Sequence, residues 1–235
     1  MSTEPPGRAA DKESRLLERP TRKSTEARTR IIRVAEQLFA ERGIASVSLR
    51  EISSNAGFAN NNAVQYHFGD KDALVRAVFE YRYRPLDDER RRLLAELPDH
   101  PTADDIIATT ARCLVLPAAT LLDDPDGSFH LRFAAQLYQQ PDHNILTTTG
   151  DLWRELFGGS DSVVRSVFRL VETHFTDIDK DVLILRERFA SALVTNAMSA
   201  REAAEQNFPR DLRASRDVFV AELLRSVRML LAADP

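Results

Sequence analysis

The chain has a single cysteine in 235 residues. That excludes an internal disulfide and any cluster of thiolate ligands, and it suits a reducing compartment such as the cytoplasm. No apolar segment stands near the first residue, so a secretory signal is not expected. The longest nearly apolar run, Cys113 to Leu122, is about half of what a membrane-crossing helix needs, and no membrane partner is expected. Nowhere do apolar and polar residues alternate over a strand's length, which leaves essentially no sheet. Repeats are missing as well. So are GxGxxG, the Walker loop, HExxH and CxxC. The five histidines are scattered, and Cys113 reads as a small buried hydrophobe rather than a nucleophile. Together these absences argue against an enzyme or carrier and predict neither cofactor nor metal.

What is present points elsewhere. A hydrophobic share of 43% fits a globular protein with a real core, as one large domain or two modest ones. The net charge of −4 is unevenly spread. Residues 1–69 hold eleven Lys and Arg against eight Asp and Glu, a balance of +3; residues 70–235 hold twenty-one against twenty-eight, −7. A basic head on an acidic body is what a DNA-binding module joined to a domain that does not touch DNA shows.

The stretch from Ser48 to Leu74 explains the basic head. Ser48 followed by Glu51 reads as a capping box, starting a short helix at Leu49 that buries Leu49, Ile52 and Ala56 and ends near Asn55. Gly57 gives the turn, because glycine takes positive φ without steric cost. Asn60, Asn61 and Asn62 offer N-caps for a second short helix with Ala63, Val64 and Phe68 inward, and Gly69 closes it before Asp70 caps the next. Two short helices across a tight glycine turn form a helix-turn-helix, whose second helix lies in the DNA major groove. A longer helix from Ser24 or Thr25 to Arg42, apolar at Ile31, Val34, Ala35, Leu38 and Phe39, packs across the pair.

Residues 28–74 resemble the N-terminal domain of the TetR/AcrR family of bacterial transcriptional regulators. The likeness rests on the run Ala35 to Gly43, on Ser48-Leu49-Arg50-Glu51-Ile52, on Ala56-Gly57, and on Tyr66-His67-Phe68-Gly69-Asp70-Lys71-Asp72-Ala73-Leu74. This chain differs in carrying one residue more between Gly57 and Phe68 than most relatives, and Gln65 where the family usually places Tyr. The resemblance implies an all-α protein: a three-helix DNA-binding domain over residues 24–70, and a larger helical domain over 71–235 for ligand binding and dimerisation. Residues 1–23, which mix Pro, Gly and both charge signs with almost no apolar periodicity, read as a disordered arm whose Arg15, Arg19, Arg22 and Lys23 either reach DNA or remain solvated.

Chemistry assigns roles within the reading head. Asn60, Asn61, Asn62 and Gln65 can each pair with two edge atoms of adenine, although an Asn here serves equally as a cap. Tyr66, His67 and Lys71 suit phosphates, with a buried place beside Phe68 the alternative for His67. Ser48 and Arg50 meet the backbone across the groove, and Arg28 near the start of the first helix suits a phosphate too.

Beyond Lys71 the pattern stays helical to Leu97, with a kink or break expected at Pro85. A helix runs from the Thr102–Asp105 cap to about Leu122, bent at Pro117. Asp123 to Gly127 form a turn that lacks the ligand pattern of a calcium loop. Further helices are expected at 128–140, 144–157, 160–176, 180–206 and 213–232. The resemblance implies an effector pocket in this body, for which Arg112, Phe133, Trp153, Phe168, His174 and Asn196 are candidates. It also implies a four-helix dimer interface from the last two helices, through Phe189, Leu193, Ala197 and Ala200 and through Val220, Leu224, Val227 and Leu231; both stripes can instead close the subunit's own core. The expected function is a homodimeric repressor that leaves a palindromic operator on binding a small, mainly apolar ligand. The alternative is a helix-turn-helix protein without an inducer.

Overall fold

The computed structural model describes residues 22–60, 62–124, 128–139 and 162–232. The arm up to residue 21, the helix expected at 144–157, and the candidates Asn61 and Trp153 lie outside these. The described residues contain helices and turns and no strand. The all-α class is therefore the one observed.

Helix α1, Arg22–Arg42, begins two residues before Ser24. It buries Ile31, Ala35 and Phe39 against α2, Leu49–Asn55, α3, Ala63–Phe68, and the first turns of α4, Lys71–Ala95. Ser48 Oγ accepts the Glu51 amide at 3.2 Å, which makes the serine half of the expected cap. The Glu51 carboxylate pairs with Arg42 instead of turning back on its own helix. Asp70 Oδ1 accepts the Ala73 amide at 2.8 Å and starts α4 in the same way.

Pro85 does not break α4, which runs through it to Ala95. Proline inside a helix costs about 3 kcal/mol. Leu86, Arg90 and Leu93 beyond it are buried against the body, and that packing holds the helix together. Helix α5, Ala103–Thr120, likewise passes through Pro117. Its capping box is complete: Asp105 accepts the Thr102 amide at 2.8 Å while Thr102 Oγ1 accepts the Asp105 amide at 3.2 Å. With the turn after it, α5 is long and apolar enough to cross a membrane, a longer apolar element than Cys113 to Leu122 suggested, but 67% of that span is buried inside the fold. It is the central helix of the body, fully burying Ala111, Cys113 and Val115.

Around it stand α6, His130–Tyr138, α7, Val163–His174, α8, Lys180–Asn207, and α9, Arg216–Ala232. Carboxylates of α8 fix two of these contacts. Glu202 accepts the amides of Leu131 and Arg132 at 3.2 and 3.0 Å, so a side chain from one helix caps the first turn of another. Glu205 takes hydrogen bonds from Arg216 of α9 and from Arg201, which hold its carboxyl down at about 2. Head and body share a core, since Phe133 of α6 is wholly buried and stacks on Phe39 of α1 with ring centroids 6.0 Å apart.

Candidate functional site

The reading head is built by local chemistry. Helix α2 ends in a Schellman motif: the amides of Gly57 and Phe58 bond to the carbonyls of Ser54 and Ser53 at 3.0 and 3.1 Å, with Gly57 at φ +73°. The buried Ser53 hydroxyl accepts the Val64 amide at 3.3 Å and latches α3 to α2. With Ala63 and Val64 buried beneath, the rest of α3 is turned outward: Asn62, Gln65 and Tyr66 are exposed, Tyr66 at 85%. Asn60 Oδ1 accepts the Asn62 amide at 2.9 Å, so Asn60 shapes the turn. Asn62 stands at the cap position with no side-chain cap bond. Ser48 and Arg50 are exposed at the start of α2.

Three expected contacts have other duties. The Arg28 guanidinium lies 4.2 Å above the Phe68 ring and donates to the carbonyl of His67. It ties α1 to the C-terminal end of α3, where a cation is favoured, and is a strut rather than a free phosphate contact. His67 is half-buried between the Tyr66 and Phe68 rings, and burial, helped by Arg28, lowers its pKa. Lys71 Nζ donates to the Ala45 carbonyl at 3.3 Å, and partial burial lowers its pKa too.

A rigid two-helix unit offering an amide-rich face beside exposed Ser48 and Arg50 has the form of a major-groove reader. Residues 31–78 match the family model for the bacterial regulatory proteins of the tetR family. Over these residues the head is similar to that family. The HTH-type transcriptional repressor Rv3405c of Mycobacterium tuberculosis is 38% identical over 104 residues, 44% of this chain and 51% of the relative, so the match spans about half the relative's length. Two solved structures share the fold over most of the chain. A regulatory protein of the tetR family from Rhodococcus RHA1 superposes with a TM-score of 0.54 at 17% identity, covering 89% of this chain and 98% of that one. NalD of Pseudomonas aeruginosa, the secondary repressor of the MexAB-OprM multidrug efflux pump, superposes at 0.52 and 20%, covering 88% and 96%.

Behind the head, α4 to α8 enclose a cavity of about 430 Å³. Its walls include Phe79 and Tyr83 of α4, Leu114 of α5, Tyr138 of α6 and Met198 of α8. Of the residues expected here, Phe168 lines it. Phe133 belongs to the core shared with the head. Arg112 faces outward and pairs with Glu96 at 2.7 Å. His174 and Asn196 are exposed, Asn196 bonding back to the Ala192 carbonyl at 2.9 Å. Two polar residues that line the cavity, His130 and Glu187, were not foreseen. One signal was available: Glu187 interrupts an otherwise apolar stripe of α8, Leu183, Ala190, Val194 and Met198, all buried.

Two cavity residues also touch the machinery that holds the head. His130 packs on Phe79 with ring centroids 5.9 Å apart and places Nδ1 3.6 Å from Glu36 Oε1 of α1. Burial alone raises the Glu36 carboxyl, but His130 and the Arg82 guanidinium outweigh it and hold its pKa below the ordinary value. Arg82 of α4 also reaches Asp124 at 2.6 Å. Helices α1, α4 and α6 thus meet in one buried charged cluster beside the cavity.

The terminal helices divide their stripes. Val227 and Leu231 are buried in the subunit's own core and are not available to a partner. Leu193, Ala197, Val220 and Leu224 are partly buried against that core. Phe189 at 50% and Ala200 remain outside, in company with exposed Leu185, Val218 and Met229.

Proposed function

We propose that this chain is a homodimeric transcriptional regulator, most simply a repressor, that binds a palindromic operator through α3 and is released by a small ligand in the body cavity. The observation that carries the reading is the exposed face of α3, Asn62, Gln65 and Tyr66, held rigid from behind by the Ser53 latch and the Arg28 strut. Gln65 and Asn62 are suited to base edges; Tyr66, Ser48 and Arg50 are suited to phosphates. Two heads related by a two-fold axis read half-sites about one helical turn apart, or further if the body holds them wider.

The cavity supports a ligand-responsive regulator over one without an inducer. Phe79 and His130 line it and also pack against the elements that seat α1. A ligand that displaces them has different contacts in two head positions, which is the requirement for coupling. The exposed apolar faces of α8 and α9 support self-association, with Phe189 and Met229 as central contacts.

The test is a gel-shift titration against DNA upstream of the gene at two salt concentrations, with a footprint of the complex. A specific complex with a symmetric footprint, weakened by Gln65→Ala, is expected. The absence of any symmetric footprint overturns the reading. Sedimentation of Phe189→Glu with Met229→Glu, expected to favour monomer, tests the interface.

A further inference from the structure

The cavity wall holds one buried acid whose hydrogen bonding is incomplete. Glu187 is 5% exposed and lines the cavity, and its Oε1 has no hydrogen-bond partner. A buried acceptor without a donor is costly, and buried carboxylates are normally paired. The lining also carries four cationic groups, and none of them gives the Glu187 Oε1 atom a hydrogen bond. Arg90 of α4 pairs with Asp87 at 2.8 Å and lies 4.6 Å over the Tyr83 ring. Arg165 of α7 holds Glu172 at 2.9 Å, so the two cancel. Arg188, next to Glu187 on α8, is half-buried, and Lys180 is exposed at the first residue of α8.

Resting on the ligand-responsive reading above, we propose that the cavity's ligand is an amphipathic organic cation whose positive charge is met by the Glu187 carboxylate. The rest of the cavity fits such a molecule. Tyr138 and Phe168 supply aromatic surface, which attracts a desolvated cation, and Phe79, Leu114 and Met198 supply apolar wall for its body. Without ligand the acid avoids the cost of a buried charge by keeping its proton. Burial first, and then the Glu172 carboxylate, push Glu187 up to about 8 against the opposing pull of Arg165 and Arg188. Binding a cation therefore expels that proton.

The test is calorimetric titration of the full chain with tetraphenylphosphonium, a permanent cation, and with tetraphenylborate, its near-isosteric anion. The cation is expected to bind and the anion not to. Glu187→Gln is expected to weaken the cation by about thirtyfold or more, the effect of removing one partner from a desolvated charge pair. Because the probe does not titrate, its affinity rises about tenfold per pH unit up to about pH 8 and then levels. Glu187→Met, with circular dichroism as a fold check, gives the same loss if the glutamine variant is unstable. Tighter binding of the anion, no binding of the cation, or a cation affinity indifferent to both substitutions and to pH each overturn the proposal. A gel shift on the same samples without probe separates the two readings. Intact DNA binding with no cation binding removes this inference alone, whereas lost DNA binding in the wild type removes the regulator.

Discussion

Head and body are both helical, yet they treat their polar groups in opposite ways. In the head, apart from the buried Glu36 at the junction with the body, polar side chains finish local structure or face solvent: Ser48 caps α2, Ser53 latches α3, Asp70 caps α4, and Gln65 and Tyr66 point outward. In the body, carboxylates are drawn inside. Glu202 caps α6 from α8, and Glu187 faces a cavity with an unpaired oxygen. On the proposed function, the head docks on a ready-made partner and is complete without it, while the cavity leaves a group unsatisfied until its ligand arrives.

The contrast can be broken at several points, and the largest effect is expected where the two regions merge. Phe39→Ala removes the ring stacked on Phe133 and is expected to lower stability by about 3–5 kcal/mol in urea unfolding. A loss under about 1 kcal/mol means the shared core does not join head to body. Next comes Glu187→Gln, which removes an unpaired buried acid worth about 1–3 kcal/mol. Glu187 at about 8 and Glu202 at about 7 both stand above the ordinary 4.5. Between those values the folded chain holds protons that the unfolded chain has released, so these groups make stability fall as pH rises from about 4.5 to 8. Melting curves are expected to show the glutamine variant gaining most at the alkaline end; an equal gain at both ends contradicts a protonated Glu187.

In the head, Gln65→Ala is expected to cost about 1–3 kcal/mol of discrimination for its operator with unchanged thermal stability. Ser48→Ala costs about 1 kcal/mol of stability through the lost cap. Tyr66→Ala is the smallest change to the fold, within about 0.5 kcal/mol, because the ring is solvent-exposed. If Tyr66 touches phosphate, the loss of affinity is similar for operator and unrelated DNA. Any of these head variants that melts the protein strongly shows that its polar face is part of the core after all.

Much of the head could be read from its residues in order. Caps and glycine turns act over three or four positions, so Ser48, Gly57 and Asp70 announce themselves without knowledge of the rest of the chain. Even there, Arg28 misled, because its partners His67 and Phe68 lie on another helix. The body's helices were legible from their spacing, and Pro85 failed to end α4 because burial of Leu86 and Leu93 outweighed a local penalty. The cavity was not legible. Phe133, Arg112, His174 and Asn196 have suitable chemistry but point into the shared core or the solvent.

By itself the sequence determined that this protein is helical, and that a serine-capped helix and a glycine turn precede a second short helix carrying Gln65 and Tyr66. These are consequences of hydrogen bonds made within a few residues. Only the tertiary structure decided that Phe133 joins body to head, that Val227 and Leu231 belong to the subunit's own core, and that Glu187 lines a cavity walled by five helices. Which face of a helix is inside, and which buried group is left without a partner, depends on neighbours distant in the chain, and no local pattern encodes them.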